Sequence, residues 1–164
     1  MSTPLGPELP PEVLRDLRGL SEAKDQAIPI VTTDEDGYPR LAMFCRSEIE
    51  LVDSTRLFLA LWPTSNTATN ITREGKATFF WVASGGMYTI QIRCEESALL
   101  QLQDGTSLLA FDAFVVGARF DEVEYASIVT PLTFEVHNPD AVIPRWSDLG
   151  NRLAGLADGV RAGR

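Results

Sequence analysis

The sequence predicts an α+β chain dominated by β structure, with six strands in an antiparallel sheet or barrel and helices flanking it. Three observations carry this. Short runs of β-branched and apolar residues recur at close spacing, and several are joined by Asp-Gly or Gly-Gly clusters of hairpin length. The helical-spacing segments do not alternate regularly with the strands, which argues against a parallel sheet. With 164 residues and no internal repeat, the chain suffices for one self-sufficient core.

Residues 1–10 hold Pro4, Pro7 and Pro10 and are expected to be a flexible N-terminal segment before a single domain, 11–164. Pro11 suits a helix entrance, and Val13, Leu14, Leu17 and Leu20 follow at helical spacing, so a short helix is predicted over 11–20. Residues 28–33 and 40–45 flank the turn Asp34-Glu35-Asp36-Gly37 and read as a hairpin. Residues 57–62 form a continuous apolar strand. Ser65 or Thr64 caps a helix that Gly75 ends, because glycine takes the left-handed conformation there at no steric cost. Residues 76–83 and 87–94 make a second hairpin across Ser84-Gly85-Gly86. Asp104 or Thr106 is expected to start a helix running to about 118, residues 129–136 to form an edge strand containing Pro131, and residues 147–164 to form a C-terminal helix.

Asp and Glu outnumber Lys and Arg by 23 to 14, a formal charge of −9. That field repels phosphate backbones and anionic lipid, so neither nucleic acid nor a membrane surface is an expected partner. The N-terminus lacks the basic and apolar regions of a signal peptide, so a cytoplasmic protein is expected. Cys45 and Cys94 lack metal-site spacing and are expected to be reduced and buried. His137 is the single histidine and reads as a turn residue, Asp34-Glu35-Asp36 as a solvated turn, and Glu95-Glu96 and Asp121-Glu122-Glu124 as water-facing charge runs. No metal site is predicted. The segment from Thr64 to Ile71 differs, since it sets hydroxyls and amides at a helix start just after a buried strand, where free N–H groups favour an anion. Ser65 serves there either as a plain cap or as part of a phosphate loop.

The order of these elements resembles the FMN-binding split β-barrel family typified by pyridoxamine 5′-phosphate oxidase. The resemblance rests on Ile30-Val31-Thr32-Thr33, the turn Asp34 to Pro39 similar to a "T-x-D-x-x-G-x-P" opening, Leu57 to Leu61, Ser65-x-Thr67-x-x-Asn70-Ile71, and Ala77 to Trp81. It covers somewhat under half the chain. It implies a six-stranded antiparallel split β-barrel, a homodimer, and FMN bound at the subunit interface by an oxidoreductase. By position, the flavin contacts would fall on Arg40, Ala42 and Phe44 of the second strand and on Leu59 and Ala60 of the third, with Ser65, Asn66 and Thr67 around the phosphate.

The family's Arg or Lys at the positions of Asn66 and Thr67 is absent, and a charge-assisted bond to phosphate is about twice as strong as a neutral one. Arg40 and Arg46, an even number apart, could leave one strand face and replace it; the alternative is surface pairing with Glu48, Glu50 or Asp53. Arg73 is a further candidate, although a place near the helix end also suits pairing with the dipole. Trp62, Phe79, Phe80, Trp81 and Tyr88 serve as ring-stacking or core residues. Two alternatives stand beside the FMN reading: a dimeric binding module that has lost flavin, and a barrel holding another planar cofactor, a deazaflavin or haem. No residue set indicates a substrate.

Overall fold

The computed structural model describes residues 1–20 and 26–163. Eight strands form one antiparallel sheet: β1 (Ser2–Gly6), β2 (Ala27–Thr33), β3 (Pro39–Cys45), β4 (Ile49–Leu51), β5 (Arg56–Leu61), β6 (Lys76–Ala83), β7 (Gly86–Gln101) and β8 (Ser107–Asp121). Among the described residues three α-helices accompany them, α1 (Pro11–Arg15), α2 (Asn66–Glu74) and α3 (Pro139–Ala162). The order across the sheet is β3-β2-β6-β7-β8-β5-β4, and β1 pairs with β8 beyond the reach of β5. The sheet is open, with β3 and β4 at its ends, as a split barrel requires.

Register decides which residues enter the core. In the β2–β3 hairpin Ile28 faces Phe44, Ile30 faces Ala42 and Thr32 faces Arg40, and partners across a ladder share one face. Ile28, Ile30 and Phe44 are buried on that inner face, while Leu41 and Met43 on the other are 64% and 62% exposed. Phe79, Trp81, Ile90 and Phe111 complete the barrel interior. A second apolar layer lies beneath α3, whose Leu149, Leu153 and Ala157 recur every four residues and cover Phe58, Ala60, Leu108 and Ala110. Full burial of each such leucine or phenylalanine contributes about 1.5–3 kcal/mol.

Both hairpins, the strand β5 between them and the α2 segment lie where the sequence places them. Five regions differ. Residues 2–6 pair with β8 instead of forming a free segment; their backbone makes the contacts, so Pro4 is tolerated on an edge strand. The first helix gives way after Arg15 to a π-helical turn, Asp16–Leu20, while Val13 and Leu17 are buried as their spacing predicts. Residues 107–121 are a strand and not a helix, and Asp104 caps no helix: its carboxylate accepts from the Thr106 N–H at 2.8 Å in a hairpin turn that Gly105 completes at φ +86°. Residues 129–136 form no strand; the Ala27 N–H donates to the Leu132 carbonyl at 2.9 Å and Thr133 makes one bridge to Gln26. Helix α3 starts at Pro139, eight residues before the expected position.

Candidate functional site

The segment after β5 builds the site. The Ser65 N–H donates to the Trp62 carbonyl at 2.9 Å, and the Ser65 hydroxyl accepts from the Ala68 N–H at 3.1 Å, capping α2. Gly75, at φ +65°, ends the helix. Ala68 and Ile71 anchor it in the barrel interior, and the buried Asn70 side chain donates from Nδ2 to Thr32 Oγ1 at 3.0 Å, fixing α2 against β2. Asn66, Thr69, Asn70 and Arg73 stand at i, i+3, i+4 and i+7 and so share one helix face.

The β2–β3 turn approaches that face. One Asp34 carboxylate oxygen accepts from the Asp36 and Tyr38 N–H groups at 3.1 and 2.8 Å, and Gly37 at φ +84° returns the chain to β3. Arg40 then stands opposite Thr32, at the rim of the inner face. Between turn and helix lies a cavity of about 230 Å³, lined by Arg40, Asn66, Thr69, Asn70, Arg73 and residues 34–36. Arg40 makes no hydrogen bond or ion pair among the described residues. The Arg73 guanidinium donates to the Thr33 carbonyl at 2.5 Å and to Glu74 at 3.0 Å. A second depression, of about 260 Å³, opens on the outer face of β2, β6 and β7 between Val31, Thr33, Lys76, Thr78, Gln91 and Val116. Thr33 lines this depression and its chain neighbour Asp34 the first cavity.

Of the residues singled out in the sequence, Arg40 and Asn66 meet in the first cavity, and Ser65 and Thr67 lie beside it. The Ser65 hydroxyl is taken by the cap, and Thr67 is buried. Ala42 is half-buried, and Phe44 packs edge-on to Phe79 at 6.2 Å between ring centres. Leu59 and Ala60 are wholly buried, one in the barrel interior and the other beneath α3, so their side chains offer nothing to a ligand.

Arg46 is not part of this cavity. Strand β3 ends at Cys45, a 3-10 turn (Arg46–Glu48) follows, and strand parity no longer applies. Its guanidinium donates to the Asp16 carbonyl at 3.3 Å and to the Leu17 carbonyl. It lines a separate pocket with Glu50 and Arg161, where burial pulls its pKa down against the pull of Glu50. Asp34, Glu35 and Asp36 form a turn, with Glu35 and Asp36 exposed as expected, and they also border the cavity. The i, i+7 relation of Asn66 and Arg73 is the signal that places the second guanidinium there.

The architecture is shared with known proteins. No family model matches the chain. A Lactobacillus delbrueckii protein provisionally named a pyridoxamine 5′-phosphate oxidase superposes over 71% of this chain and 98% of its own, with a TM-score of 0.53 at 15% identity. HupZ of Group A Streptococcus superposes over 74% and 100%, with a TM-score of 0.51 at 14% identity. The fold is that of the pyridoxamine 5′-phosphate oxidase-like split barrels. In sequence, the uncharacterized protein YclD of Bacillus subtilis (strain 168) is 31% identical over 128 residues, spanning 77% of this chain and 82% of that protein. The chain belongs to the same family as YclD.

Proposed function

We propose that the protein binds FMN at the α2 end of the barrel and acts as a homodimeric flavin-dependent oxidoreductase. The observation that carries this reading is the Arg40 guanidinium, without a hydrogen bond or ion pair among the described residues, lining with Asn66 and Arg73 a cavity large enough for a phosphate group. An arginine with no ion pair among the described residues is available to an anion, and its planar fork suits a phosphate. Arg40 and Arg73 would hold the phosphate and Asn66 would orient it, supplying from strand and helix the charge that residues 65–67 lack. Bound FMN would supply hydride or electron transfer, while the chain provides placement and a dry surface. The depression between Val31, Thr78 and Val116 is the surface on offer to the ring.

Exposed apolar side chains support the dimer. Leu41 and Met43, with Val116 at 53% exposure, stand on the outward face, and a second copy would remove them from water. No helix among the described residues is long and apolar enough to cross a membrane, and both cysteines are free thiols, which suits the reducing cytoplasm proposed for the protein.

A visible absorbance spectrum of freshly purified protein, with mass spectrometry of the material released on denaturation, tests the reading. A flavin spectrum with FMN released is expected; a colourless protein that takes up no added FMN at micromolar concentration would refute it. The carboxylates of residues 34–36 favour a second reading, a split-barrel module without flavin, and that colourless protein is its signature.

A further inference from the structure

We infer that the opposite end of the barrel holds a second ligand site, which takes a small apolar amine. There a cavity of about 500 Å³, larger than both depressions described above, lies between the β6–β7 turn, the end of β8 and the segment that follows it. The size is that of a site for a small organic molecule, and so is the lining, mostly apolar with a few polar groups at the wall. Met87, Val123, Ala126 and Ile128 supply the apolar surface, and Asp121 and Glu122 the polar wall.

The walls are fastened in place. The Ile128 N–H donates to the Gly85 carbonyl at 2.7 Å and the Glu122 N–H to the Met1 carbonyl at 3.1 Å. Gly86 forms the floor where nothing larger fits, since a Cβ there would lie 2.6 Å from the Phe120 ring and 2.7 Å from the Asp121 carbonyl. Among the described residues, no Lys, Arg or His side chain lines the cavity. Its charges are two carboxylates and the Met1 ammonium, which donates to the Glu122 carbonyl. The balance is negative, as is the chain at −9, so a cation is favoured over an anion both at the wall and on approach. The site is separate from the Arg40 cavity: Lys76 starts β6 beside α2, and the eight residues of β6 span about 25 Å before the turn that borders this cavity.

Calorimetric titration of the protein with 2-phenylethylamine, 2-phenylethanol and phenylacetate tests the inference. The amine should bind saturably and at least tenfold more tightly than the carboxylate, with the alcohol between them. Ala126→Trp, which fills the cavity, should abolish amine binding and leave flavin binding unchanged, whereas Asp121→Asn with Glu122→Gln should reduce the amine to the level of the alcohol. Amide shifts in the wild-type chain should move at Val123 and Ile128, a readout that needs no variant to fold. No saturable amine binding, equal binding of amine and carboxylate, or shifts confined to other residues would overturn it.

Discussion

Cys45 and Cys94 illustrate how burial sets chemistry at single residues. Desolvation pushes both thiols up to about 12, aided by Glu48 at Cys45 and by Asp112 at Cys94. Neither is a thiolate near neutrality, and the thiolate is the reactive form. The native protein should therefore resist a disulfide-exchange reagent at about pH 8 and take up two equivalents in urea; rapid labelling of the native state would contradict this. The unfolded chain loses these protons near its ordinary thiol pKa and the folded chain only near 12, so stability falls as pH rises across that interval. Burial likewise raises the pKa of Glu48, although its carboxylate accepts from the Cys45 N–H at 2.7 Å. The folded state holds that proton more tightly than the unfolded state, so the group's stabilising contribution is complete below the ordinary carboxylate pKa and is lost as pH rises through the raised one. Glu48→Gln keeps an acceptor and removes the charge. Its Tm at neutral pH should equal or exceed that of the wild type and vary less between about pH 4 and pH 7; a lower Tm with undiminished pH dependence would count against the account.

At the scale of elements, legibility followed the number of buried faces. The β2–β3 and β6–β7 hairpins were readable because turn chemistry and β-branched runs agree, and α2 because its cap and Gly75 bracket it. Strand β8 was not. Ala110 packs beneath α3 while its neighbour Phe111 enters the barrel, so the first half of the strand is covered on both faces and its sequence does not alternate there. Leu108, Leu109, Phe111, Phe114 and Val115 then imitate a helical stripe. Residues 129–136 misled in the opposite sense, because they have strand composition but Val129 is 92% exposed and Pro131 lacks a donor. Two substitutions probe the elements that frame the site. Ser65→Ala should lower stability by about 1 kcal/mol through loss of the α2 cap. Leu153→Ala, at a fully buried position beneath α3, should lower it by about 2–5 kcal/mol. Urea unfolding measures both, and equal losses would show that α3 does not close the second core.

At the scale of the whole molecule, the site depends on elements far apart in sequence. That Arg40 and Asn66 line one cavity is legible from their positions in the chain, because hairpin and helix both have strong local signals. The burial of Leu59 and Ala60 is not legible in the same way, because it needs the barrel interior on one face of β5 and α3 on the other, and the place of Arg46 depends on where β3 stops, one residue before it. Charge placed on the outer face should expose the proposed assembly. Met43→Glu with Leu41→Lys should leave the fold intact and convert a dimer to a monomer in analytical ultracentrifugation; an unchanged sedimentation profile would move the interface elsewhere. The central claim concerns the Arg40 cavity, and parallel titrations of FMN and riboflavin into the wild type and Arg40→Ala, followed by flavin fluorescence, test it most directly. Because a hydrogen bond to a charged group contributes about 1.5–3 kcal/mol, Arg40→Ala should weaken FMN by roughly tenfold to hundredfold and leave riboflavin nearly unaffected; equal losses for both ligands, or none for either, would contradict the account.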